Sequence, residues 1–297
     1  MRSPAPPPAL APPSPAAAPA VGKLRPTETE VAQWAAGLRV PPRTAIAPAV
    51  VSTRLGRPVL KHVPGPRLDL RVQDGSEPDG CLAATGRALA ALHGAPPPGR
   101  DAVTVESPPW GALPVRLWAG LSSVQRGLVG AFHGDAELRE RGRRTRDHLA
   151  RPAVWCHGDA RTNNVVVTPD GLPLLIDWEC AGLGQPETDL GSLCSALLMD
   201  SLSASSSPSG PQARAALSAA MTRGTVLVRS ALTGYREGGG QELDKEMLAS
   251  AVGCGLLARA FMRASMTSRD RIVSALYEIG RGLLLDPARW EVLDGRA

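Results

Sequence analysis

The stretch Trp155-Cys156-His157-Gly158-Asp159-Ala160-Arg161-Thr162-Asn163-Asn164-Val165-Val166-Val167 decides the reading of this chain. Thr168-Pro169-Asp170-Gly171 and Leu172-Pro173-Leu174-Leu175-Ile176-Asp177-Trp178-Glu179 follow it directly. Val165–Val167 and Leu172–Ile176 are short apolar runs on either side of Asp170-Gly171, a strong short-range hairpin signal. A hairpin centred between Asp170 and Gly171 sets Asn164 opposite Asp177. The missing N–H of Pro169 allows a four-residue loop with the same centre. An amide and a carboxylate then stand side by side at the open end of the hairpin, and Asp159 lies on the loop just before it.

Hard oxygen ligands that converge in this way suit Mg²⁺, which takes one or two carboxylates together with substrate phosphates. Asn164 and Asp177 are therefore the candidate metal ligands. A further aspartate that does not bind the metal is what phosphoryl transfer needs to orient an attacking hydroxyl, and Asp159 is placed for it. Arg161, two residues on, offers positive charge to the transferred group.

Working outward, the 297 residues leave room for one large or two unequal domains. A hydrophobic share of 43% supports a real core, and with only 6 Trp, 2 Tyr and 2 Phe that core must be built from Leu, Val and Ala. Gly and Pro, 31 and 29 residues, exclude a continuous helical array. No apolar run approaches the ~18 residues of a membrane span, so no membrane partner is expected. Five cysteines without a CxxC pair argue against a disulfide scaffold or a structural zinc, and a reducing, cytoplasmic setting is expected. The charge of +5 comes mostly from arginine, since only three of the 33 basic residues are lysine. The densest basic stretch, Arg139 to Arg151, is interleaved with Glu137, Glu140 and Asp147 and has no aromatics. It reads as a solvated helix face, and no nucleic-acid partner is expected.

Residues 1–20, with 8 Pro and 7 Ala, read as a disordered or polyproline-like tail. Residues 21–65 read as a small strand-bearing portion. It opens on the strand-like Val21–Leu24 and a helix capped by Thr27 or Thr29, with Val31, Trp34, Ala35 and Leu38 on one face. Strands follow near 49–53 and 57–63, and Pro64-Gly65-Pro66 is a stiff connector. Residues 66–297 read as a mainly helical body, with helices near 82–93, 122–150, 212–236, 241–266 and 268–284.

The central motifs closely resemble the aminoglycoside phosphotransferase/choline kinase-like family. The family's His-Gly-Asp, Asn and Ile-Asp-Trp pattern stands here as His157-Gly158-Asp159, Asn164 and Ile176-Asp177-Trp178-Glu179. Its downstream Gly-Pro and Asp-Leu element resembles Gly182 to Leu190, Val63-Pro64-Gly65 resembles its hinge, and Leu89 to His93 resembles its first body helix. The resemblance implies an α+β, protein-kinase-like two-lobe fold with a reduced N-terminal lobe and a mainly helical C-terminal lobe. It also implies ATP and Mg²⁺ as cofactors and a small hydroxylated molecule as substrate. Asp159 would be the catalytic base, and His157 and Asp189 would brace its loop. Cys156 and Cys180 read as small core fillers.

The family's nucleotide lobe carries a strand lysine and a helix glutamate, for which Lys23 with Glu30 (or Glu28) are the candidates. Residues 1–20 contain no glycine to form its phosphate-covering loop. A non-catalytic, pseudokinase-like binding or regulatory protein therefore stays open beside the enzyme. Residues 212–297 carry 9 acidic against 12 basic side chains, so the expected acceptor is neutral or anionic, not polycationic.

Overall fold

Helix formation begins at Thr27. Its hydroxyl accepts the Glu30 N–H at 3.3 Å while the Glu30 carboxylate accepts the Thr27 N–H at 2.7 Å, closing a capping box. In the computed structural model, which describes residues 26–41, 44–77, 80–105, 111, 113–204, 211–265 and 271–290, this cap opens helix α1 (Glu28–Gly37). Two antiparallel hairpins follow: β1 (Arg39–Val40) with β2 (Thr44–Ala45), and β3 (Val50–Arg54) with β4 (Arg57–Leu60). The 1–20 tail and the strand-like Val21–Leu24 lie outside the described residues.

Beyond the connector come α2 (Leu68–Asp74), α3 (Cys81–His93), α4 (Val115–Gly120), α5 (Ser123–Gly134) and α6 (Ala136–Leu149). The single helix expected over 122–150 is thus two. Asp135 leaves the helical region, at φ −99° and ψ 99°, to cap α6 through the Leu138 N–H and to pair with Arg281. The basic face of α6 is solvated as expected: Arg143 and Arg144 pair with Glu140, and Arg143 also pairs with Asp147.

Four three-residue strands follow: β5 (Val154–Cys156), β6 (Val165–Val167), β7 (Pro173–Leu175) and β8 (Gly182–Gly184). Strand β6 pairs with β7, and β5 with β8. The β6–β7 hairpin forms, but the expected register is corrected by one residue. Val165 faces Leu175 and Val167 faces Pro173, so Asn164 stands opposite Ile176, not Asp177. The turn is the cause. Thr168 accepts the Gly171 N–H on its carbonyl and the Leu172 N–H on its hydroxyl, while its own N–H reaches the Leu172 carbonyl. This closes a three-residue loop ending in left-handed Gly171, at φ 76°, and its centre falls on Asp170. The fixed φ of Pro169 suits the first central position of such a turn.

Helices α7 (Pro186–Ala204), α8 (Pro211–Glu237), α9 (Lys245–Arg263) and α10 (Arg271–Leu285) complete the body. One buried apolar cluster runs from Val31 and Ala35 of α1 through Trp155 and Trp178 into α3, α7, α8 and α9. Helices α3 and α8 approach backbone to backbone, since a Cβ on Gly86 would lie 2.0 Å from the Ala231 carbonyl oxygen. That approach brings His93, at the end of α3, against Tyr235 of α8. The N-terminal portion is stitched to the β6–β7 hairpin by Val167 N–H to Pro66 O at 2.9 Å and Leu175 N–H to Ile46 O at 2.8 Å. The fold is the expected α+β arrangement, a reduced strand-bearing portion before a mainly helical body. Among the described residues no helix is long and apolar enough to cross a membrane.

Candidate active site

Buried strand β5 delivers the chain into His157-Gly158-Asp159. Gly158 sits at φ 82°, and a Cβ there would lie 2.2 Å from the Cys180 carbonyl oxygen, so both conformation and space demand glycine. Asp189, fully buried in the first turn of α7, accepts the His157 N–H at 2.7 Å and the Gly158 N–H at 2.8 Å. His93 adds a third bond at 3.0 Å and is itself 3.0 Å from the Tyr235 hydroxyl. Burial pushes the Asp189 carboxyl up, but the His93 hydrogen bond and charge, with further help from His157, outweigh it and leave the net shift downward. Among the described residues His93, Cys156 and Asp189 present a nitrogen, a sulfur and an oxygen within 4.8 Å of one another. Both Asp189 oxygens are already engaged by donors, so the group serves as a brace.

His157 is equally committed. One ring nitrogen lies 2.9 Å from the Ile176 carbonyl, the other accepts the Asp159 N–H at 3.3 Å, and Trp178 packs on the ring at 4.5 Å between centroids. This pattern requires the proton on Nε2, and burial lowers the imidazole's proton affinity, so the ring is neutral. It is a scaffold residue, with no nitrogen left for acid–base work.

Past the loop, Arg161 reaches Asp159 Oδ2 at 3.0 Å, and the Asn164 amide donates to Asp159 Oδ2 at 2.8 Å and to its carbonyl at 3.0 Å. The single turn carrying Asn164 (Thr162–Asn164) is held from below. The Thr162 hydroxyl donates to Asp200 of α7, which also accepts from Gln73 of α2 at 3.0 Å. Burial pushes the Asp200 carboxyl up to about 6. Neither Asp200 nor Gln73 was marked by motif, because Asp200 meets Thr162 and Gln73 only in the folded chain.

The slipped register does not disperse the acidic groups. Ile176 donates to the Asn164 carbonyl at 3.0 Å, and the next residue, Asp177, takes φ 69°, a left-handed conformation uncommon for any residue but glycine. That single rotated residue redirects the chain after β7. Half-buried Cys180 senses its surroundings: burial raises its thiol, Asp159, Glu179 and Asp177 raise it further, and Arg161 opposes them. Asn164 bonds Asp159 through its amide and Ile176, the neighbour of Asp177, through its carbonyl, so Asp159 and Asp177 flank one residue. From the other side, burial and Asp177 push the Glu28 carboxyl up, Arg57 opposes this, and Glu179 adds to it. Glu30 is exposed and closes the α1 cap, while Glu28 is half-buried in the first turn of the helix. Lys23 lies outside the described residues.

The donor set fits a divalent cation. Asn164 uses its amide N–H₂ on Asp159, so its oxygen is the atom it would offer a cation. Asp177 carries an exposed carboxylate at a left-handed backbone position of the kind that clusters at ligand sites. With Glu28 and Glu179 near, the uncompensated charge is negative.

Residues 12–225 match the sequence profile of the phosphotransferase enzyme family (APH). Among curated proteins there is no match. Among solved structures, a choline/ethanolamine kinase family protein from Mesorhizobium loti is similar at 17% identity and TM-score 0.46, covering 90% of this chain and 82% of that one. The macrolide 2'-phosphotransferase MphH from Brachybacterium faecium aligns at 19% identity and TM-score 0.40, covering 87% of this chain and 78% of that one. The amicoumacin kinase hAmiN, solved with AMP-PNP and Ca²⁺, aligns at 14% identity and TM-score 0.44, covering 81% of this chain and 72% of that one.

Proposed function

We propose, on the premise that this chain belongs to the phosphotransferase enzyme family, that it moves the γ-phosphoryl group of ATP to a hydroxyl of a small molecule. The observation that carries the reading is the Asp159 cluster, a carboxylate fixed by Asn164 and Arg161 on a loop braced by Asp189, with Asp177 flanking Asn164 on its other side. Asp159 accepts the proton of the acceptor hydroxyl and aims its oxygen for in-line attack. Arg161 holds that carboxylate in position and sets a guanidinium beside the transferred group. Asn164, through its oxygen, and Asp177 hold Mg²⁺, which when bound neutralises the charge of the phosphates. His157 keeps the loop's shape and takes no proton. The surplus of basic residues in 212–297 favours a neutral or anionic acceptor.

The test is turnover of Mg-ATP with a panel of small hydroxylated compounds. Asp159→Asn should cut kcat by about 10²-fold or more with an unchanged fold, since general-base catalysis contributes on that scale. Asp177→Ala should abolish Mg²⁺-dependent nucleotide binding. Nucleotide binding with no turnover in any condition would support instead a binding or regulatory protein.

A further inference from the structure

Helix α2 comes straight off the connector and packs against the Thr162–Asn164 turn, strand β6 and α7. Its start is pinned to β6 by the Arg67–Val166 bridge and by the bond from the Val167 N–H to the Pro66 carbonyl. Its far half is clamped to α8 by Arg223, which donates to the Val72 carbonyl at 2.7 Å and to the Glu77 carboxylate at 2.8 Å. Gln73, the next residue after Val72, is thus presented from a helix held at both ends.

Asp200 joins that helix to the site. One carboxylate oxygen accepts the Gln73 amide at 3.0 Å and the other accepts the Thr162 hydroxyl. Asp200 and Thr162 are both buried, so neither can exchange its partner for water, and a lost donor would leave a buried acceptor unsatisfied. Thr162 opens the turn: its carbonyl accepts the Val165 N–H, and the Arg161 carbonyl accepts the Asn164 N–H at 2.9 Å. Fixing Thr162 therefore fixes Arg161 on one side and Asn164 on the other. These are the two side chains that grip Asp159 Oδ2, at 3.0 and 2.8 Å.

We propose that Asp200, acting through the Thr162 hydroxyl, is a positioning residue for phosphoryl transfer, and that Gln73 sets the Asp200 carboxylate. The assignment rests on the phosphotransferase reading and adds to it the residues that hold Asp159, Arg161 and Asn164 in their mutual geometry. A small shift of this turn would misaim both the Asp159 carboxylate and the Asn164 oxygen. Supporting partners of this kind are worth about 10- to 100-fold in activity or metal affinity.

The test compares the full-length wild type with Thr162→Val, Thr162→Ser, Asp200→Asn, Gln73→Ala and Thr145→Val. Thr145 is the control, a buried threonine in α6 whose hydroxyl donates to the Arg141 carbonyl at 2.9 Å, away from the turn. Three quantities are read: turnover of Mg-ATP with the hydroxylated panel, the Mg²⁺ dependence of ATP binding by calorimetry, and hydrogen exchange of the Asn164 and Val165 amides. Thr162→Val should lower kcat and weaken Mg²⁺ by about 10-fold or more, and speed exchange at both amides. Thr162→Ser should recover most of the loss. Asp200→Asn should do the same, because it keeps an oxygen for Thr162 while the Gln73 amide turns to offer its own oxygen to the new N–H₂. Gln73→Ala, at an exposed position, should cost about threefold, and it decides the matter if Thr162→Val does not fold. Thr145→Val should lower the melting temperature and leave all three quantities in place. Unchanged kcat in Thr162→Val, or an equal loss in Thr145→Val, overturns the assignment and leaves the phosphotransferase reading standing. A wild type that turns over no member of the panel and binds no Mg-ATP sinks both.

Discussion

The loop from His157 to Asn164 and the β3–β4 hairpin are held in opposite ways. The loop springs from a buried strand, and the residues that brace it are fully committed. Strand β5 is buried at all three positions, and Asp189 and both histidines it serves, His93 and His157, use each polar side-chain atom in a hydrogen bond. The hairpin, by contrast, turns four of five β3 residues to solvent, and its Leu55 is 97% exposed. A lone two-stranded hairpin is marginal in water, and this one leans on α1 through the Thr29–Gly56 bond. The difference teaches where precision is stored. The site proposed for transfer is built on the helical body, while the hairpin against α1 has little packing to hold it.

Removing the brace should break the comparison most severely. Asp189→Ala leaves the His157 and Gly158 N–H groups and a histidine nitrogen without partners in a dry interior. Each orphaned buried group costs about 1–3 kcal/mol, so a total loss of roughly 3–5 kcal/mol is expected, with turnover abolished. Urea denaturation of wild type and variant measures it. A loss under about 1 kcal/mol would show that the loop keeps its shape without α7.

A smaller effect concerns the second support. Asp200 carries a carboxyl raised from 3.8 to about 6 by burial, despite its bonds to Thr162 and Gln73. The folded state therefore keeps a proton that the unfolded state releases between about pH 4 and 6. Stability from this group is full below pH 4, falls as pH rises through that window, and stays low above it, by roughly 2–3 kcal/mol in all. Asp200→Asn removes the titration. The stability difference, wild type minus variant, should decline from pH 4 to pH 6.5 in denaturant titrations, and a flat difference would refute the buried-acid account.

The candidate residues of the site were legible because they are local. Asp159, Arg161, Asn164 and Asp177 fall within 19 residues, and the hairpin between them is announced by Asp170-Gly171. The register was misread for a physical reason. A Pro-Asp-Gly loop can close around either of two centres, and the Thr168 hydroxyl, by capping the Leu172 N–H, selects the three-residue one. Asp177 adopts a left-handed backbone, which aspartate tolerates better than most residues but which no motif announced. Asp200, Gln73 and Tyr235 were invisible, since each meets the loop region across long stretches of chain. Glu28 could not be told from Glu30 by spacing alone. The capping box commits Glu30 to its own helix end, because the third helical position is where a glutamate folds back on its cap.

The smallest expected effect tests whether the hairpin is a unit apart. Leu55 occupies a left-handed position, at φ 51°, that suits asparagine or glycine, and its side chain is almost fully in solvent. Leu55→Asn therefore loses no packing and relieves backbone strain, stabilising the turn by about 1 kcal/mol. If the hairpin opens independently of the body, that gain belongs to its local opening equilibrium alone. Hydrogen exchange of the β3 and β4 amides should then slow about fivefold, while exchange in β5 and α7 and the global unfolding midpoint stay where they are. A gain that appeared equally in the global midpoint would mean that hairpin and body unfold together, and the contrast between a braced loop and a loosely held hairpin would be lost. A hairpin that slows while the body does not would locate the molecule's adaptable element at the Leu55-Gly56 turn.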